Sequence, residues 1–463
     1  MPEVRESLIQ AASVTGSVSQ GRDGLQFPPG FLWGVSTAAH QVEGCNDNNQ
    51  WSDWEASGRI RSRDLCGDAC DWWKNAERDF DLAQGMGLNA LRLSVEWSRI
   101  QPAEGQWHPQ SLLRYREMLK ALRERGIEPM VCLHHFTNPR WFEEKGAFLT
   151  PDAAKLFERF TRRVVEELGD LCRYWVTFNE PNVYASLGYV LGEFPPGRVG
   201  DVIAAFRVIN SMARIHAIAY RSIHELQPDA KVGWAHNYIV FVPANPALPL
   251  DRLVTNLIHE LFNESFLGLM ERGHHKFPFN LAGGNVPDAK GACDFVGLNV
   301  YSRLHVSFDL KEIHQLFARV FVPPHVPQGD PGRERPYGEA YPQVVKRAVE
   351  RTARLGKPIY ILENGVPDAS DRIRPWLLVN TLEQLHKLIE GGHDIRGYFH
   401  WTLADNFEWT EGWNLRFGLF ELNRETQART IRSSGTIYRS VALNNGLSRE
   451  MSKQHSRFRT SAK

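Results

Sequence analysis

Short runs of apolar, β-branched and aromatic residues recur along the chain, separated by longer stretches of helical periodicity. The runs predict strands over residues 31–38, 88–95, 127–133, 172–178, 231–239, 293–300, 358–362 and 395–401. Between them, apolar positions at helical spacing predict amphipathic helices over 76–86, 110–125, 152–168, 201–227, 252–272, 343–355 and 376–391. Gly126, Gly356 and Gly392 stand where three of these helices would stop. Alternating strand and helix implies parallel pairing through right-handed crossovers, and eight such units favour a closed barrel over an open sheet. The predicted fold class is α/β: a single (β/α)8 TIM barrel with long βα loops, spanning residues 25–445. An open doubly wound sheet is the alternative, but no Gly-x-Gly-x-x-Gly follows an early strand.

In a barrel of this kind reactive groups gather at the carboxyl ends of the strands. The polar or aromatic residues at those ends are Gln41, Arg92, His135, Glu180, Asn237, Tyr301, Glu363 and Trp401. Long connections near 40–75 and 302–341 would form the rim of a pocket. Glu180 sits in Trp175-Val176-Thr177-Phe178-Asn179-Glu180-Pro181, and Glu363 in Ile359-Tyr360-Ile361-Leu362-Glu363-Asn364-Gly365. Hydrolysis of a glycosidic bond needs two carboxyl groups, one to protonate the departing oxygen and one to attack the sugar carbon or activate water. A lone strand-end glutamate would be weak evidence, because most are surface residues or local caps. Two on one barrel make a candidate pair.

Composition narrows the partners. A 463-residue chain suggests about three domains by length alone, yet single barrels with insertions run well beyond 250 residues. Net charge is zero, which argues against nucleic acid or an anionic membrane surface as partner. No apolar run reads as a membrane span. The six cysteines are scattered; Cys45, Cys66 and Cys70 lie near one another but form no C-x-x-C pair, leaving a local disulfide or adventitious metal site as a minor reading. That usage suits a reducing cytosol, so a cytoplasmic location is expected. Residues 1–24 lack a charged start followed by an apolar core, so no signal peptide is read there. Both 1–24 and 446–463 are polar and expected to be disordered tails. The 14 tryptophans include loop residues of a kind that carbohydrate sites use, although Trp33, Trp51, Trp54, Trp72 and Trp73 read as packing.

Four motifs in order resemble glycoside hydrolase family 1, the β-glucosidase/β-galactosidase family of (β/α)8 barrels. The first runs Phe31-Leu32-Trp33-Gly34-Val35-Ser36-Thr37-Ala38-Ala39-His40-Gln41-Val42-Glu43-Gly44. The second is Thr177-Phe178-Asn179-Glu180-Pro181, the third Leu362-Glu363-Asn364-Gly365, and the fourth Trp401-Thr402-Leu403-Ala404-Asp405-Asn406-Phe407-Glu408-Trp409. The resemblance spans about residues 27–438. It implies that Glu180 is the general acid/base and Glu363 the nucleophile of a retaining, exo-acting β-glycosidase working through a covalent glycosyl-enzyme. It implies further that Arg92 and Tyr301 hydrogen-bond the nucleophile, and that Asn179 contacts the sugar 2-hydroxyl. Gln41, His135 and Glu408 would hold the other hydroxyls, with Trp409 assisting and Trp401 forming the aromatic floor. No cofactor and no metal are implied. The expected substrate is a small-molecule β-glycoside or oligosaccharide: a non-phosphorylated β-D-glucoside, and with it β-D-galactosides or β-D-fucosides. Oligomeric state is not legible.

The chemistry makes separate sense of these residue types. A nucleophile must be ionised at neutral pH, which a guanidinium and a phenol beside it would favour; the acid must hold its proton, which burial and the other carboxylate would favour. Rivals exist for several assignments. Arg92 could serve only as an ion-pair residue inside the barrel. Of His134 and His135, strand alternation allows one to face the pocket. His216, His236 and His400 read as core or surface histidines. The chain departs from the family pattern at Phe136, where Trp is usual, at Asn138 in place of Leu, and at Leu362 in place of Thr; segment 302–341 matches poorly. A metal-dependent hydrolase would need ligands at consecutive strand ends, and a Schiff-base lyase a strand-end Lys; neither pattern is present. Transglycosylation through the same intermediate and a non-catalytic sugar-binding barrel are the remaining alternatives.

Overall fold

A strand covered on both faces can be apolar throughout, its alternate side chains serving two different cores. The eight predicted runs do this in the structure, a computed structural model that describes residues 24–277, 279–282, 284–332 and 337–458. They form β1 (Leu32–Ser36), β2 (Ala90–Ser94), β3 (Glu128–His134), β4 (Tyr174–Asn179), β5 (Lys231–Pro243), β6 (Val296–Phe308), β7 (Ile359–Asn364) and β8 (Ile395–His400). Each pairs in parallel with the next. β8 returns to β1, with Gly397 opposite Leu32, and the barrel closes. Inward side chains such as Met130, Cys132, Val176, Phe295, Tyr360 and Phe399 fill it, so the lumen is packed and not a pore. The alternate set, including Leu91, Leu93, Val131 and Leu133, joins the larger core beneath the helices.

The outer ring comprises α1 (Trp72–Gly85), α2 (Pro109–Glu124), α3 (Ala153–Leu168), α4 (Val202–Leu226), α5 (Pro249–Phe262), α6 (Glu264–Arg272), α7 (Val344–Thr352), α8 (Arg374–Glu390) and α9 (Ser433–Asn444). Seven predicted segments cover α1 to α8. The single helix expected over 252–272 is two, because the Asn263 side chain clasps β5: its amide donates to the Ile239 carbonyl at 2.8 Å and its oxygen accepts from the Ile239 N–H at 3.1 Å. Helix α9 escaped the periodicity reading since it opens Ser433-Ser434-Gly435-Thr436, four weak helix formers. It is held by the barrel: Tyr438 donates to the carbonyl of Gly34 at 2.7 Å and shares that hydrogen with Tyr398 at 3.0 Å.

Two further expectations are corrected. The rim segment 302–341 is not all loop. Strands β5 and β6 continue past the barrel to Pro243 and Phe308, and an antiparallel ribbon strand, Ala318–Phe321, pairs with β6. Alternation in Leu304-His305-Val306-Ser307-Phe308 supports that extension. The C-terminal segment from 446 is ordered at its start: Gly446–Ser448 pairs with Gly24–Gln26, and Arg449–Gln454 forms a helix capped by Ser448. Backbone pairing between the two chain ends, not composition, orders it. The rest of the expected tails, 1–23 and 459–463, lies outside the described residues.

Helix α4 is long and apolar enough, by length and composition, to cross a membrane, contrary to the sequence reading. More than half of its most apolar window is buried in the molecule. All six cysteines are free thiols; Cys45 is exposed and donates weakly to Asp68, while Cys66 and Cys70 bond the carbonyls of His40 and Asp405.

Candidate active site

Strict alternation along β7 would send Tyr360 and Leu362 into the lumen and Glu363 outward. A β-bulge prevents this: Ile361 opposes Leu298 but Glu363 opposes Asn299, so two steps on β7 match one on β6. Along β4 a second shift falls between Val176 and Asn179. It turns Phe178 outward against Phe157, stacked at 4.8 Å, and brings Asn179 to the lumen. Glu180 then takes a left-handed backbone conformation, φ +48°, as the residue preceding a short helix from Pro181. Both glutamates are therefore aimed by local departures from regular strand. Non-glycine residues in that region cost energy and concentrate at functional sites.

Glu363 is buried and accepts from the Arg92 guanidinium and the Tyr301 hydroxyl. Arg92 is fully buried and also donates to Asn179 Oδ1 at 3.1 Å. Glu180 Oε1 accepts from Asn237 Nδ2 at 2.8 Å and Asn299 Nδ2 at 2.7 Å. The same Asn299 amide reaches Asn179 Oδ1 at 3.0 Å. Arg92, Asn179 and Asn299 thus link the two carboxyls through one hydrogen-bonded chain. Burial and the Glu363 charge push the Glu180 carboxyl up to about 8, against the Asn299 and Asn237 hydrogen bonds. Burial also raises Glu363, contrary to the lowering expected from its neighbours, but Arg92 and Tyr301 oppose the rise and hold it to a smaller one. Of the Glu180 and Glu363 pair, Glu180 therefore holds the proton.

Of the sugar-holding candidates, His135, Asn179, Trp401, Glu408 and Trp409 line the same cavity, while Gln41 stands behind Glu408 and bonds it. His135 faces it, whereas His134 packs edge-on against Phe148 and Phe178 and bonds Asn138 at 3.0 Å. His135 Nε2 accepts from Asn179 Nδ2 at 3.0 Å, and burial together with Arg92 holds its imidazole well below the ordinary range, so it is neutral. Its ring stacks on Trp401 and Trp409 at 6.0 and 5.8 Å between centroids. Gln41 donates to the Phe407 carbonyl at 2.7 Å and to Glu408 Oε2 at 3.4 Å, and Trp401 Nε1 donates to the same carboxyl oxygen at 3.4 Å. Glu408 is pushed up to about 8 by burial and by the Glu363 and Glu180 charges, against the Trp401 and Gln41 bonds. Among the described residues, Gln41 Oε1, His135 Nδ1 and Asn299 Oδ1 are buried without a partner. Buried polar atoms of this kind call for partners, and a polyhydroxylated ligand supplies them.

Sequence reasoning gave no role to Asn299 or Tyr337, and none beyond its position to Asn237. Asn299 shares strand parity with Tyr301, a polar residue in the apolar run Val296-Gly297-Leu298-Asn299-Val300, and that was its signal. Tyr337 packs edge-on against Tyr301 at 5.6 Å and against Phe417 at 5.0 Å, which tertiary structure alone could place. Trp33, Trp51, Trp54 and Trp72 are buried packing residues, and Trp73 lies under the Arg99 guanidinium at 4.2 Å. His216 is a core residue bonded to Thr177 and to the Ala292 carbonyl; His236 and His400 are buried as well.

A cavity of about 400 Å³ holds Glu180, Glu363, His135, Asn179, Trp401, Glu408 and Trp409 in one wall system at the carboxyl ends of the strands. A closed parallel barrel carrying this paired-carboxyl cavity defines the class: a barrel-type O-glycoside hydrolase. The chain matches Glycosyl hydrolase family 1 over residues 24–447, and it belongs to that family. Relatives include β-glucosidase A of Thermotoga maritima, 32% identical over 91% of this chain and 99% of that protein, and a Pyrococcus woesei β-galactosidase, 27% identical over 92% and 99%. The fold is similar to that of the β-glycosidase from Pyrococcus horikoshii (TM-score 0.85, 34% identity, 94% of this chain and 99% of that one). A Thermotoga maritima β-glucosidase solved with deoxynojirimycin is also similar (TM-score 0.84, 30% identity, 91% and 100%). The enzyme is of the β-glucosidase/β-galactosidase type and takes small-molecule glycosides.

Proposed function

We propose that the enzyme is a retaining, exo-acting β-glycosidase that hydrolyses non-phosphorylated β-D-glucosides, and with them β-D-galactosides and β-D-fucosides. The carrying observation is the division of labour between the buried glutamates: Glu363 bound by a guanidinium and a phenol, Glu180 bound by amides and holding the proton. Glu363 attacks the anomeric carbon as Glu180 protonates the departing oxygen. Esterification then removes the Glu363 charge that helps raise Glu180, so Glu180 becomes the base that activates water. Asn179 is anchored by Arg92, Asn299 and His135 and meets the 2-hydroxyl. Gln41, His135 and Glu408 meet the remaining hydroxyls over Trp401, with Trp409 beside them. An acidic side chain at Glu408, which accepts from Gln41 and Trp401 and brings no positive charge, disfavours a phosphorylated sugar. The free thiols go with a reducing cytoplasm as the working compartment.

Glu363→Gly is expected to lower the hydrolysis of aryl β-D-glucosides by more than about 10³-fold, with azide restoring turnover as the α-glycosyl azide. Near-normal hydrolysis by that variant, or an inverted first-formed anomer seen by NMR in the parent enzyme, would refute the assignment.

A further inference from the structure

Asn138 stands where the family pattern has Leu, and it is fully buried. An amide in place of an apolar side chain costs energy unless its polar atoms are paired. Here all of them are. Its Oδ1 accepts from His134 Nε2 at 3.0 Å, and its Nδ2 donates to Glu143 Oε2 at 2.7 Å and to the Tyr184 hydroxyl at 2.9 Å. Those two oxygens fix the orientation of the amide, because a flipped group would set oxygen against oxygen. His134, pushed down to about 4 by burial, is a neutral ring that carries its hydrogen on Nε2. The backbone is held too: the Asn138 N–H donates to Gln50 Oε1 at 2.6 Å, and Gln50 Nε2 donates to the Phe136 carbonyl at 2.8 Å. That clamp spans Phe136, which sits at φ +69°.

The three side-chain partners lie on three elements. His134 ends β3, one residue before His135. Glu143 belongs to the short helix Arg140–Glu144. Tyr184 belongs to Pro181–Ala185, the helix that Glu180 opens, and its N–H donates to the Glu180 carbonyl at 3.0 Å. On the cavity side, Asn179 donates to His135 at 3.0 Å. The contacts close a ring that runs from Glu180 through Asn179 and His135, along the backbone to Asn138, then through Tyr184 back to Glu180. A residue at positive φ persists only where its surroundings fix it, and the outer half of this ring passes through Asn138.

We propose that Asn138 is a positioning residue for proton transfer: it holds the helix after Glu180 against the end of β3 and so sets where the Glu180 carboxyl meets the departing oxygen. This rests on the retaining-glycosidase reading above and deepens it. Asn138 stands behind the cavity wall and touches no reacting atom. In the first step the bond from C1 to the departing oxygen breaks, the bond from C1 to a Glu363 oxygen forms, and the Glu180 proton goes to the departing oxygen. Misplacing Glu180 therefore penalises poor leaving groups, which need that proton, and spares good ones.

The ratio of kcat/KM on methyl β-D-glucoside to kcat/KM on 2,4-dinitrophenyl β-D-glucoside tests the proposal. The ratio cancels the fraction of active enzyme, so a loss of stability alone leaves it unmoved. Asn138→Leu is expected to lower it by about 10- to 100-fold, with the dinitrophenyl substrate changed less than about threefold. Tyr184→Phe keeps the ring and removes one acceptor; it should lower the ratio by less, and the double variant should add little to Asn138→Leu. The Leu variant costs three buried groups one bond each, so folding is checked by its thermal transition, and if it fails to fold, Tyr184→Phe decides by the same ratio. Equal losses on both substrates, or an unchanged ratio in a folded variant, would overturn this inference alone. Glu180→Gln is the control and should show the same contrast more strongly; its absence there would sink the acid assignment itself, and this inference with it.

Discussion

Glu180 concentrates the residue-scale physics of this protein. It sits at positive φ, out of water, beside a second carboxylate, and it accepts two amide hydrogen bonds. Each of the first three features costs energy; burial first, and then the second carboxylate, push its proton affinity up to about 8 against the two amide hydrogen bonds. The working acid is the protonated form, so kcat/KM should fall as pH rises through about 8 in the free enzyme. Replacing it by Gln removes the group that titrates. Glu180→Gln is expected to cut kcat/KM on alkyl glucosides by about 10²- to 10⁴-fold and to abolish the alkaline limb of the profile. An alkaline limb that persists in the variant would assign it to another group. Which asparagine supports which glutamate was not readable from sequence, because Asn299 and Asn179 belong to different strands and meet only when the barrel closes.

At the scale of elements, irregularities of β4 and β7 do what ideal strands could not. Alternation predicts the wrong face for Glu363, and the bulge corrects it. The neighbouring Leu362 is accommodated because β6 places Gly297 against it: a β-carbon there would meet Leu362 Cδ1 at 2.3 Å and the Trp234 carbonyl at 2.8 Å. The sequence departure at Leu362 and this glycine are therefore one packing solution behind the nucleophile. Gly297→Ala should cost about 1–3 kcal/mol of stability and also lower kcat, by shifting the β7 bulge. Denaturant midpoints together with rates on an aryl glucoside read both effects, and a stable variant with normal kcat would show that the strands relax around it. The same scale explains α4. Its excess apolarity is used twice, once against the core and once against the cavity.

For the whole molecule, the site sets function against stability. Glu180 has a folded-state affinity near 8 and an ordinary value of 4.5, so between these the folded protein holds a proton that the unfolded chain releases. Its contribution is most favourable below about 4.5 and is lost as pH rises through 8. The Gln variant carries no such penalty. Glu180→Gln should raise the thermal midpoint, little at pH 5 and more at pH 9, where the gain is on the order of 3 kcal/mol. Equal shifts at both pH values would mean that Glu180 is not held protonated by the fold. Elsewhere the molecule places its charges in pairs, such as the buried Arg432 with Asp405 at 2.8 Å, and its chain ends are joined by Gly24–Gln26 and Gly446–Ser448.

The order of eight apolar runs and the helices between them was legible because a two-sided strand must be apolar and a covering helix must be amphipathic; both are local requirements. The two glutamates and their companions were legible because strand ends in a barrel share one face. What the sequence could not determine was everything set by distant partners. A weak helix such as α9 forms because Tyr438 finds carbonyls of β1 and β8. The segment at 446–448 is ordered because the other chain end pairs with it. Glu363 points inward because the β7–β6 pairing carries a bulge, and the proton settles on Glu180 because burial and Coulomb repulsion exist only once the barrel has closed.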